Sequence, residues 1–347
     1  MSSSPLDLRS DTVTLPTPAM REAMFRAELG DDVFGEDPTV IRLERMAAEG
    51  MGKEAAVFVA SGTMANLVSL LAHCRRGDEA IVGVQAHILH YEVGAAAGLG
   101  GIQLRPVAND ARGMMDPAEV EAIIRGQNIH YPRTALLCLE NTHNRCGGGV
   151  LTPEDTAALA EVARRHDVAV HLDGARIFNA AVALGIPAAE LAGDVDSVSF
   201  CLSKGLSAPV GSLVCGTEEF VARARKARKM VGGGMRQVGV IAAAGIVALE
   251  TMVERLAEDH ENARTLAEGL AELPGLVIDP AGVQTNIVLF DVEGWETSRF
   301  FEALDQAQIK AIPVGPRRIR MVTHYGVSRQ DIEEALERLR QAVTALV

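Results

Sequence analysis

Seven short apolar runs punctuate the middle of the chain: EAAVFV (54–59), EAIVGV (79–84), GIQLRPV (101–107), TALLCLE (134–140), VAVHLD (168–173), VDSVSFC (195–201) and GSLVCG (211–216). They are nearly continuous in apolar residues instead of alternating with polar ones, the pattern of strands covered on both faces. Amphipathic stretches between them predict helices, among them MANLVSLLAHC (64–74) and PEDTAALAEVARRH (153–166). The second has Thr152 as N-cap, Pro153 at its first position and acids in its first turn. Strands alternating with helices predict an α/β fold built on a mostly parallel seven-stranded sheet.

From Gly234 the pattern changes. Residues 236 to about 272 read as one long Ala-rich helix, followed by strands near 286–290, 310–314 and 318–323. The closing SRQDIEEALERLRQAVTALV has Ser328 as N-cap and apolar residues at 332, 336, 339, 343 and 346, which predicts a final helix. The expected organisation is an N-terminal arm (1–45), a large domain (46–243) and a smaller α+β C-terminal domain (244–347), since the chain exceeds the usual single-core size. The acidic loop GDDVFGEDP in the arm could suggest a metal. Pro38 opens a helix there, so the acids are expected to be solvated charges near its start.

Composition narrows the partners. The formal charge is −13 over 347 residues, which argues against nucleic acid or an anionic membrane surface. The first residues, MSSSPLDLRS, lack the apolar segment of a signal peptide, and no apolar run reaches membrane-spanning length. Cysteines 74, 138, 146, 201 and 215 show no metal-ligand spacing and read as reduced thiols of a cytoplasmic protein.

In open α/β sheets ligands bind beyond the carboxyl ends of the strands, so the residues just after each run carry the chemistry. After VFVA comes Ser61-Gly62-Thr63, a turn entering a helix, suited either to phosphate or to simple N-capping. After VAVHL comes Asp173. After VDSVSFC comes Lys204, the single formal charge between Asp196 and Glu218. A lysine amine in apolar surroundings has a lowered pKa and can form a Schiff base, although the same side chain could snorkel to water. Together the three fit pyridoxal phosphate, which needs a lysine for its aldehyde, an acid for its ring nitrogen and a phosphate cradle. His87 follows EAIVGV and could stack on the ring. His87 and His90 form an HxxH, but no third ligand is evident and no metal is expected.

At these residues the chain resembles the low-specificity L-threonine aldolases, within the fold type I pyridoxal-phosphate enzymes. The likeness runs through LDLRSDTVTLPTPAM, GDDVFGEDPTV, SGTMANLVSLL, LENTHN, HLDGARIFNA, CLSKGL, GGGMRQ and RMVTH. One departure is that Glu92 is followed by Val93, Gly94 and Ala95, where the family often has two glycines. The resemblance implies Lys204 as Schiff-base lysine, Asp173 on the ring nitrogen, Arg176 at the ring hydroxyl and His87 stacked on the ring. It places Ser61, Gly62 and Thr63 at the phosphate, joined by Arg236 from a neighbouring subunit. Ser10 and Arg320 would take the substrate carboxylate. Arg318 shares the face of Arg320 by strand alternation, and only the family match favours Arg320. Tyr91 and Lys229 would border the site, and His87 or His143 would act as base, His143 also touching substrate.

The implied reaction is cleavage of a small-molecule β-hydroxy-α-amino acid, L-threonine or L-allo-threonine, to glycine and acetaldehyde, or the reverse addition. The resemblance further implies a homodimer or a homotetramer, the latter a dimer of dimers, with shared active sites. A phenylserine aldolase, a β-eliminating lyase and a serine hydroxymethyltransferase would use the same lysine and acid, but no folate-binding insertion is evident. GAAAGLG (94–100) matches a dehydrogenase phosphate loop, yet it lies past the second strand and no tyrosine has a lysine four residues on, so it reads as a helix. A non-catalytic carrier of the cofactor would lack Ser10, His143 and Arg320.

Overall fold

A computed structural model describes residues 5–344. Its strands are β1 Leu6–Asp7, β2 Ala55–Val59, β3 Glu79–Gly83, β4 Gln103–Val107, β5 Thr134–Glu140, β6 Ala169–Asp173, β7 Ser197–Cys201, β8 Ser212–Gly216, β9 Leu276–Val277, β10 Ile287–Val292, β11 Ile309–Lys310, β12 Ile312–Pro313 and β13 Arg318–Val322. The large sheet has the order β2-β8-β7-β6-β5-β3-β4. Its neighbours pair in parallel except β8, which runs antiparallel to β2 and β7. Every residue of β5 and β7 is buried, as continuous apolar runs require. The register pairs Glu140 with Asp173 and Asp173 with Ser199, so the carboxyl ends of β5, β6 and β7 lie side by side.

The small sheet is antiparallel in the order β12-β13-β10-β9. Helix Arg329–Thr344 packs on it, and Ser328 caps that helix in exchange with Asp331. Two cores result. One joins the large sheet to helix Pro38–Met51 and helix Gly239–Thr251. The other gathers Leu266, Leu270, Phe290, Phe300, Ile319 and Leu339.

The expected helix from 236 to 272 is two helices, Gly239–Thr251 and Leu256–Ala271. The Thr251 hydroxyl bonds back to the Val247 carbonyl, and residues 253–258 tighten into turns bonded three residues apart; both devices bend or end a helix. The bend carries the chain from the first core, which still holds Met252 and Leu256, to the second, which begins at Ala263. The change of core thus comes later than residue 244.

The acids of GDDVFGEDP are not all solvated. Asp32 and Asp37 are buried. Asp32 is paired with the buried Arg228 at 2.7 Å, and Asp37 accepts from the amides of Thr39, Val40 and Gly239. A buried carboxylate persists only with such partners. GAAAGLG forms a wide helical turn, Ala96–Gly100, with no cradle role. Among the described residues all five cysteines are free, and no helix is long and apolar enough to cross a membrane.

Candidate active site

The site forms where β5, β6 and β7 end. Asp173 closes β6 and is buried. Its carboxylate accepts from the Asn66 amide at 2.7 Å and from the Ala175 backbone at 3.1 Å. Among the described residues it has no arginine or lysine within ion-pair distance. A buried carboxylate without a cation is costly, so the position calls for a cationic partner.

Asn66 is the hub of a buried network. Its amide nitrogen also donates to Glu92 at 2.7 Å, and its oxygen accepts from His171 and Ser199. Glu92 in turn holds His87 Nδ1 at 3.0 Å. Burial pushes the Glu92 carboxyl up, against the hydrogen bonds from His87 and Asn66. Burial alone would lower His87, but the hydrogen bond to Glu92 and the charges of Asp173, Glu92 and Glu140 outweigh it and raise its pKa. His87, Glu92 and Asp173 come within 4.8 Å of one another. Two carboxylates and an imidazole could take a metal, but Asn66 and His87 already satisfy Glu92, and the open valence is that of Asp173.

Gly62 and Thr63 open helix Gly62–His73, whose N-cap is Ser61. The Ser61 hydroxyl accepts from the Met64 amide, so it caps the helix and leaves the Gly62 and Thr63 amides free for an anion. A Cβ on Gly62 would stand 2.9 Å from Cys201 Sγ. Only glycine lets this turn lie against the end of β7. Lys204 sits in the β7–β8 connection, partly exposed, with no acid paired to its amine among the described residues. Its carbonyl accepts from the Thr14 hydroxyl, which ties the N-terminal arm to this loop.

Arg176 grips Asp11 through two bonds of 2.7 Å, both side chains buried. Arg176 holds the Asp11 carboxyl well below the usual carboxylate range in spite of burial. The third arm of Arg176 reaches Asn144 Oδ1, which also accepts from Arg320 at 2.9 Å. Arg320 contacts the Arg9 carbonyl, next to Ser10, and its buried Nε has no partner among the described residues. Burial and the charge of Arg176 lower the Arg320 pKa. Strand alternation left Arg318 and Arg320 equal. The structure separates them, because Arg318 is exposed and bound to Asp291.

His143 stands apart. It is 1 % exposed, its ring lies against Gly113, and among the described residues neither ring nitrogen has a hydrogen bond. The backbone of His143 bridges to Gly149, while Asn144 one residue on meets Arg176 and Arg320. Tyr91 lies beside His87, ring centroids 5.4 Å apart. Lys229 is exposed near Gly234, and Arg236 is exposed and paired with Asp31. Asp11, Asn66, Glu92 and Asn144 were missed from sequence. Asp11 was signalled by LRSD and Asn66 by its polarity within an apolar helix.

A family model described as beta-eliminating lyase matches residues 7–293. Low specificity L-threonine aldolase of Escherichia coli K12 is 48% identical, the match covering 95% of this chain and 96% of that one. Low-specificity L-threonine aldolase 1 of Arabidopsis thaliana is 46% identical over 98% and 97%. The fold is shared with threonine aldolase of Leishmania major at a TM-score of 0.83, 19% identity and coverage of 98% and 100%. With these matches spanning nearly its whole length, the chain belongs to the beta-eliminating lyase family, among its low-specificity L-threonine aldolases.

Proposed function

We propose that the protein cleaves L-threonine and L-allo-threonine to glycine and acetaldehyde, and catalyses the reverse addition. What carries this reading is a set of unmet groups at the carboxyl ends of the strands, among the described residues: the buried Asp173 with no arginine or lysine paired to it, the Gly62 and Thr63 amides without acceptors, and the Lys204 amine without an acid. The family works with pyridoxal phosphate, and these three groups fit its ring nitrogen, phosphate and aldehyde in turn. When bound, the cofactor supplies a protonated pyridine that takes up the electron pair released as the Cα–Cβ bond breaks.

The chain's own residues do the rest. Asp173 keeps the proton on the ring nitrogen, and Asn66 keeps Asp173 aimed. Arg176, braced by Asp11 and Asn144, would hold the ring hydroxyl. Arg320 takes the substrate carboxylate, its Nε awaiting an acceptor and Ser10 close by. His87, held at Nδ1 by Glu92, presents Nε2 to the substrate hydroxyl and removes its proton. The burial of His143 supports taking His87 as the base. Tyr91 and Lys229 border the substrate.

Leu15, Phe25, Leu29, Phe34, Ile41 and Met230 are exposed apolar residues on or beside the arm. Exposed apolar surface of this kind supports assembly, and a homotetramer built from dimers that share sites through Arg236 fits it. The free thiols support a cytoplasmic setting, where the enzyme would supply glycine from threonine.

The test is acetaldehyde release by purified protein with added cofactor, comparing L-threonine and L-allo-threonine, with Lys204→Ala as control. Turnover of both, lost in the variant, is expected. Full turnover by Lys204→Ala would overturn the assignment.

A further inference from the structure

Beside Arg320 opens a cleft of about 920 Å³ between the end of β5 and the small sheet, far larger than the methyl group of threonine. Its walls include Gln85, Tyr91, Asn144, Arg145 and Arg320. Arg145 donates from Nε to Gln85 at 2.7 Å and from Nη1 to the Tyr91 hydroxyl at 2.8 Å. Both partners are neutral. Among the described residues no carboxylate lies within 4.0 Å of its guanidinium, and its remaining N–H groups are not buried.

The acids of the cleft are otherwise engaged. Asp291 holds Arg318, Asp279 caps a turn at Ala281, and Asp110 accepts from the amides of Arg112 and Met114. Arg145 is thus a fixed, planar cation with open donors, braced on Tyr91, whose ring adjoins His87. A substrate anchored by its α-carboxylate on Arg320, with its hydroxyl at His87, would extend its Cβ substituent along this wall. Guanidinium donors in such a frame suit a carboxylate or phosphate.

Resting on the aldolase reading, we infer that Arg145 forms a second anion subsite, for β-hydroxy-α-amino acids whose Cβ substituent ends in a carboxylate or phosphate. The reaction stays balanced. The hydroxyl proton passes to the base, C–O becomes C=O, the Cα–Cβ pair goes to Cα, and Cα gains a proton. Products are glycine and an aldehyde bearing the anion, with no oxidant or reductant needed.

The experiment follows glycine formation from 3-hydroxyglutamate, from its isosteric amide 3-hydroxyglutamine, and from L-threonine. A charge-assisted hydrogen bond predicts that kcat/KM for the acid exceeds that for the amide by about tenfold or more, a preference that falls as salt rises. Arg145→Gln should bring the ratio to about one, and Arg145→Lys should restore part of it. A phosphorylated substrate, the 4-phosphate ester of 4-hydroxythreonine, tells which anion fits better. Using a ratio removes any shift that loss of the Tyr91 brace imposes on all substrates alike. Equal rates on acid and amide beside intact L-threonine cleavage, or a preference that survives Arg145→Gln, would overturn the subsite. Failure on every substrate, L-threonine included, would instead sink the aldolase reading beneath it.

Discussion

Asn66 carries no charge, yet its amide nitrogen lies 2.7 Å from both Glu92 and Asp173. It lets two buried carboxylates sit near each other by donating one hydrogen to each, with the His87 imidazole within 4.8 Å of both. The consequence is measurable at His87. Its raised pKa means that it stays protonated past the ordinary histidine value, about 6.5, and serves as base only above its own. We expect kcat/KM to rise with pH through an inflection above that value. Glu92→Gln removes the anion that favours the imidazolium, so the inflection should move to lower pH. A pH–rate profile of the variant that superimposes on the wild type would remove Glu92 from this role. At this scale the sequence points to a residue where a single polar group stands in apolar surroundings, as at Lys204 and Asp173, and the structure puts both at or just beyond strand ends. The sequence gives no sign that His143 is buried while Asn144, the next residue, meets Arg176 and Arg320, because that depends on how the loop closes. Nor could it separate the surroundings of Arg318 from those of Arg320, which differ through the partner Asp291.

Among the elements, the strands of the large sheet were legible nearly to the residue, since continuous apolar runs have one good solution in an α/β fold. The helix from 236 onward was not, because its break comes from a threonine hydroxyl and a change of core instead of a proline or glycine. The turn after Glu92 shows a local conflict of the opposite kind. Val93 has φ of 54° and is 102 % exposed. A β-branched residue in left-handed backbone costs roughly 1–2 kcal/mol with no burial to offset it. Val93→Gly should therefore stabilise the fold by about 1 kcal/mol, less a little for the looser unfolded chain. Denaturant unfolding at matched cofactor loading would read this as a higher midpoint at unchanged slope. An unchanged or lower midpoint would mean that the valine is held in place by something outside the single chain.

The whole molecule raises that same question of what lies outside one chain. The arm contributes Leu8 to the second core and Met20, Val40 and Leu43 to the first, so it binds the two cores together. Its outward side nonetheless leaves Phe25 85% and Phe34 74% exposed, an arrangement a lone soluble chain seldom keeps. Among the described residues, the side chain of Arg236, on the segment leading into the helix that packs against the arm, bonds only Asp31. If this face joins two copies, Arg236 is placed to serve the partner's phosphate, and assembly and cofactor binding become one equilibrium. Phe34→Asp would bury a charge at the joint, so light scattering should show a smaller particle, with weaker affinity for pyridoxal phosphate that recovers as protein concentration rises. Arg236→Ala should weaken the cofactor while leaving the mass unchanged, which separates the ligand from the joint. A Phe34→Asp protein of unchanged mass would move the interface elsewhere on the surface. A smaller particle with undiminished cofactor affinity would mean that each chain completes its own phosphate site.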